Sequence, residues 1–121
     1  MSTDRTEQDP AVRALTELMA VLDTCMTELG GARARAEKLL EERQTGRTWL
    51  DIVTAESRPL VVEQLSSVMA ALASAGGAWL REQAHALASE QVSINRIAAM
   101  FGVTRQRISA LLRERARTAQ A

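Results

Sequence analysis

Residues 92–115 read VSINRIAAMFGVTRQRISALLRER, and this stretch decides how the whole chain is read. Ser93 carries the oxygen that caps a helix N-terminus, so a helix is expected over Ile94–Phe101. Gly102 stands where that helix must stop, because glycine enters the left-handed region without steric cost. Thr104 is a second cap, and a second helix is expected from Arg105 to about Arg117. With the turn glycine placed ninth, Ile97 is fourth, Ala98 fifth, Phe101 eighth, Val103 tenth, Ile108 fifteenth and Leu111 eighteenth. The fifth position lies where two such helices cross most closely, and Ala98 supplies the small side chain that crossing demands. The fourth, eighth, tenth, fifteenth and eighteenth are apolar and fill the wedge between the helices. All seven positions, Gly102 included, carry the residue type this geometry asks for.

Such a helix-turn-helix presents the outer side of its second helix to a partner. The expected partner is double-stranded DNA, since the first residues of a recognition helix reach base edges in the major groove. The residues expected to read bases are Thr104, Arg105, Gln106, Ser109, Ala110 and Arg113. Arginine matches the acceptor pair of guanine, glutamine the donor–acceptor edge of adenine, and alanine the thymine methyl group. Ser93, Asn95, Arg96, Arg107, Arg115 and Arg117 are expected to meet phosphate, helped by the positive ends of their helices. Arg113 also lies where the helix follows the backbone. The plainer alternative is a solvated basic helix face on a protein–protein adaptor, because helix-turn-helix folds are reused in that way.

Charge is unevenly placed. The net charge is zero, yet from Ser93 onward there are six arginines and one acid, Glu114, a local balance of +5. The first 92 residues carry the compensating −5. A basic module on an acidic body suits site-directed contact with phosphate better than indiscriminate coating of DNA.

The composition predicts an all-α fold. Hydrophobic residues reach 46% but aromatics only 2%, and Ala, Leu, Glu and Arg dominate. Residues 1–9 are polar and expected to be disordered. Asp9-Pro10 is a helix start, with Asp as cap and Pro in the first turn. Val12, Leu15, Met19, Leu22, Met26 and Leu29 then step by 3 and 4, a heptad-like seam that Leu18, Val21 and Cys25 widen. Gly30-Gly31 interrupts the pattern as a break, a kink or a close crossing. Ala32, Ala36, Leu39 and Leu40 resume it to about Gln44, with Gly46 as a stop. Thr48 with Asp51 opens a short helical segment bearing Trp49, Ile52 and Val53. Ser57-Arg58-Pro59 is another start signal. From Leu60 a long helix is expected to about Ser89, with Val61, Leu65, Val68, Leu72, Ala75 and Trp79 as its seam and a bend at Gly76-Gly77.

The long helices of residues 10–90 are expected to form a helical hairpin and dimerisation bundle, ahead of a helix-turn-helix over 91–117 and a frayed tail over 118–121. A homodimer gives the single reading helix its second half-site. Met19, Met26, Met69, Trp49 and Trp79 are plain core residues, or the lining of a pocket for a small apolar ligand.

RIAAMFGVTRQRISALLR, residues 96–113, resembles the C-terminal helix-turn-helix of resolvase/invertase recombinases and region 4 of sigma factors. No segment resembles a recombinase catalytic domain or the other sigma regions. The whole chain, including GRTWLDIVTAESRPLV at 46–61, is similar to small actinobacterial helix-turn-helix regulators. The resemblance implies transcription control and names no operator and no ligand.

No nucleophile elbow, phosphate loop or metal-ligand cluster appears, so neither an enzyme nor a cofactor is expected. Cys25 and His85 are the only residues of their kinds, which argues against a disulfide or a zinc site. No apolar run is long enough to span a membrane, and the N-terminus lacks a signal-peptide core. A cytoplasmic, nucleoid-associated protein is expected.

Overall fold

The computed structural model describes residues 9–120, with side chains described through Glu114. Of residues 1–9, expected to be disordered, residues 1–8 lie outside the described residues, as do the side chains of Arg115 and Arg117, whereas Asp9 caps the first helix. The fold is all-α. Among the described residues the helices are α1 (Pro10–Gln44), α2 (Trp49–Ala55), α3 (Val61–Ser89), α4 (Ile94–Phe101) and α5 (Arg105–Gln120). No strand occurs among the described residues. The chain divides into two compact units. Among the described residues, one holds 19–74 and the other holds 75–120 with the segment 9–18.

The helix starts follow side-chain chemistry. Asp9 Oδ1 accepts from the Ala11 amide at 2.8 Å, and Thr48 Oγ1 accepts from Asp51 N at 3.1 Å. Helix α3 has no capping hydroxyl. Instead the Glu63 carboxylate accepts from Leu60 N at 2.9 Å, and Glu56 accepts from Val61 N at 3.0 Å. These carboxylates satisfy amides that helix geometry leaves orphaned.

Within residues 19–74, α1 and α3 lie antiparallel. Their cross-links run in opposite senses: Cys25 Sγ approaches Val68 O at 4.0 Å, Gln64 Nε2 donates to Glu28 O at 3.3 Å, and Arg35 donates to Pro59 O at 2.6 Å. Arg35 also donates to Ser57 O at 2.6 Å, so one guanidinium ties down the connection ahead of α3. Cys25 and Ala32 of α1, Ile52 of α2 and Val68 of α3 are buried. The internal seam of α1 is therefore the one through Cys25 and Ala32. The heptad series through Met19, Leu22, Met26 and Leu29 is exposed.

Gly30-Gly31 does not break α1, which is continuous to Gln44, and Gly76-Gly77 lies inside α3. A Cβ at any of the four would meet nothing within 4 Å. The helix-propensity cost of about 1 kcal/mol per glycine is outweighed by good helix formers on both sides and by the packing of Cys25 and Ala32.

In the other unit, Ala84, Ile97, Ala98, Ile108 and Leu111 form the buried core. Leu80, Leu87, Ala88, Val92, Ile94, Phe101, Val103 and Leu112 close around it. The last turns of α3 thus form a third wall for α4 and α5, and Arg81 pairs with Glu114 at 3.7 Å.

Three helices end alike. The amide after the left-handed residue bonds five residues back, as in Arg47 N to Glu42 O, Val92 N to Leu87 O and Val103 N to Ala98 O. Two of these ends use Gly46 and Gly102, whereas α3 ends with Gln91 at φ 70°. A side chain held left-handed costs roughly 1–2 kcal/mol, partly offset by the chain entropy glycine loses on folding. Gln91→Gly is therefore expected to raise stability by about 1 kcal/mol in urea denaturation. A loss of stability would mean that residue 91 does not hold this conformation.

Candidate nucleic-acid interface

The candidate site is built on α4, α5 and the three residues between them. Ser93 Oγ accepts from Arg96 N at 3.2 Å, and Thr104 Oγ1 accepts from Arg107 N at 3.1 Å. Each hydroxyl keeps its own proton, so each can also donate to an external acceptor. Gly102 sits at φ 67°, ψ 32°, and its amide donates to the carbonyls of Ala98 and Ala99. A left-handed residue here aims Val103 back at the core and releases Thr104 to begin α5.

The wedge fixes which side of α5 faces outward. Ile97 and Ile108 have no exposed surface, and Ala98 is 6% exposed. Phe101 and Val103 pack beside them, half-buried. At about 100° per residue, Gln106, Ala110 and Arg113 lie on the side of α5 away from Ile108, with Arg105 and Arg107 on its flanks. Thr104, Arg105, Gln106, Arg107 and Arg113 are exposed, while Ser109 and Ala110 are half-buried. On α4 and its cap, Ser93, Asn95 and Arg96 are exposed. No ion pair involves Arg96, Arg105, Arg107 or Arg113 among the described residues.

The arrangement places a row of exposed guanidinium and amide side chains on one side of α5. Four guanidiniums without an internal carboxylate leave their donors for an external anion or base edge. Among the described residues no three His, Cys, Asp or Glu side chains gather in a group able to hold a metal ion. No helix among the described residues is long and apolar enough to cross a membrane.

Sequence reasoning missed Ala84 and Leu87, which complete the wedge from the end of α3. Their signal was present in the small-and-large spacing of Leu80, Ala84, Leu87 and Ala88. It was absorbed into the reading of a single long helix. Of the five residues expected as core or as the lining of an apolar pocket, four in the unit of residues 19–74 are on the surface and Trp79 is half-buried. Met19, Met26, Met69 and Trp49 are exposed, and Arg43 lies over the Trp49 ring at 5.4 Å. A cavity of about 240 Å³ in the unit of residues 19–74 is lined instead by Arg35, Lys38, Glu42, Glu56, Leu39 and Ile52, among others. No family model, no curated protein and no solved structure matches the chain.

Proposed function

We propose that the chain is a sequence-specific transcriptional regulator that binds double-stranded DNA as a dimer through a C-terminal helix-turn-helix, in the cytoplasm at the nucleoid. One observation carries this reading. The exposed side of α5 holds Arg105, Gln106 and Arg107 at the helix N-terminus, with no internal ion pair for either arginine among the described residues. Behind them is a buried wedge, so their positions are fixed relative to the fold. Base-reading side chains need that rigidity, because misplacement by a fraction of an ångström forfeits a bidentate pair.

Thr104 and Ser93 support the reading at the phosphates, through hydroxyl protons and helix N-termini. One short helix reads only a few base pairs. A two-fold dimer supplies the second copy, with half-sites about 34–36 Å apart or a multiple of that spacing.

The test is selection of genomic fragments by the purified full chain, followed by a salt titration on the enriched fragments. A palindromic motif is expected, with affinity falling linearly in log–log form as salt rises. Absence of any DNA binding at low salt would overturn the proposal and favour a protein-binding adaptor.

A further inference from the structure

The hairpin of α1 and α3 has two unlike sides. Within residues 19–74, Cys25 and Val68 mark the internal seam of each helix. Rotating about 100° per residue from Cys25, the exposed Met19, Leu22, Met26 and Leu29 fall to one side. Rotating from Val68 in the same way, the exposed Val62, Leu65 and Met69 fall to the same rotational side of α3. Because the helices are antiparallel, equal rotations in the chain direction bring both rows onto one face of the pair. The opposite rotation brings Thr24 and Glu28 together with Gln64, Ser67 and Ser74, a polar face. One face of the hairpin is thus apolar and the other is not.

The apolar face is large for the surface of a single chain. Met26 is 70% exposed, Met69 69% and Met19 59%, and the four others lie between 40% and 64%. Together these side chains leave roughly 750 Å² of apolar surface uncovered, above the 300–600 Å² of an ordinary monomer's largest patch. That figure is close to the roughly 800 Å² that each partner contributes to a standard interface. The rows step by 3 and 4, the spacing that packs helix against helix.

We infer that this face is where a second copy of the chain docks, joining two hairpins into a four-helix bundle. The choice of a second copy rests on the dimeric reading proposed above and on the charge pattern of the face. In a two-fold contact every residue near the axis meets its own kind, so a charge there meets a like charge. The rows from Met19 to Leu29 and from Val62 to Met69 contain no charged side chain. The row on α1 turns polar only at Arg33, which is engaged with Glu37 at 3.6 Å. A face without charge at its centre is compatible with its own copy. It lacks the complementary charges that would orient an unlike partner.

The experiment is the mass of the full chain by light scattering, without DNA, across a dilution series from micromolar upward. Wild type is expected at twice the 13.2 kDa chain mass. Met26→Glu and Met69→Glu are each expected to give the single-chain mass, with the helical circular dichroism unchanged because both side chains point outward. Ser67→Glu, on the polar face, is expected to remain a dimer. The inference is overturned if wild type is a monomer throughout, its apolar face then belonging to some other protein. It is equally overturned if Met26→Glu and Met69→Glu dimerise as wild type does. Since no DNA is present, a dimer that binds no DNA would sink the regulator reading and leave this interface standing. Site-specific DNA binding by a strict monomer would do the reverse.

Discussion

Replacing Ile108 by alanine is expected to destabilise the unit of residues 75–120 by about 2–5 kcal/mol. Ile108 has no exposed surface and lies among Ala84, Ile97, Ala98 and Leu111. Truncation removes the transfer free energy of the lost carbons and leaves a cavity. The cavity cannot close easily, because Ala84 and Ala98 are too short to reach into it and Ile97 and Leu111 are already packed in the same core. A small domain is typically stable by about 5–15 kcal/mol, so this single change consumes a large share of the total. Met100→Ala is the control. Met100 belongs to α4 as Ile97 does, but it is 57% exposed, and its truncation is expected to change stability by less than about 0.5 kcal/mol. Urea denaturation followed by circular dichroism separates the two. Equal effects from Ile108→Ala and Met100→Ala would contradict the wedge.

The wedge was legible in the sequence because each of its parts is local. Ser93 and Thr104 cap within three residues of themselves, and Gly102 terminates α4 by its own backbone freedom. Ile97, Ala98, Ile108 and Leu111 are tied together by their spacing on either side of the Gly102 turn, and all four are buried in one cluster. What could not be read was anything that depends on a choice between adjacent faces. Helix α1 carries apolar residues at both Leu18, Val21 and Cys25 and at Met19, Leu22 and Met26, one residue apart along the chain. Periodicity weighs the two rows alike, and the cross-contacts with Val68 and Gln64 decide that the first faces inward. The end of α3 at Ser89 was read from the pattern, but the left-handed residue that follows it was not. Gln91 occupies a left-handed position with no glycine to announce it, held by hydrogen bonds to Leu87 and Ala88 carbonyls. The expected interruption at Gly30-Gly31 gave weight to a propensity that tertiary packing overrides. The outward residues Gln106 and Arg113 were legible only through the wedge, since position opposite a buried residue, rather than charge, is what selects them, and Arg105 follows as the exposed flank residue next to the Thr104 cap.

Arg105→Ala is expected to weaken binding to the selected DNA motif by about 1–3 kcal/mol, roughly 5- to 150-fold, and to relax preference at one base pair of each half-site. Arg105 opens α5, one residue after the Thr104 cap, and is exposed with no ion pair among the described residues. Its fork of donors matches the two acceptors of guanine, so alanine removes both a charge and a base discriminator. Arg96→Ala supplies the contrast. Arg96 lies on α4 and is exposed, and in the proposed reading it meets phosphate alone. Its loss is expected to weaken binding about equally on all sequences and to reduce the salt dependence by roughly one counterion. Fluorescence anisotropy on the selected motif and on single-base variants, each at several salt concentrations, gives both quantities. The stability of each variant should be unchanged, because neither side chain takes part in the buried wedge. If Arg105→Ala lowers affinity uniformly across the variant sites, the guanidinium contacts backbone and base reading falls to Gln106 and Arg113. If it lowers affinity at none, α5 is not the recognition helix.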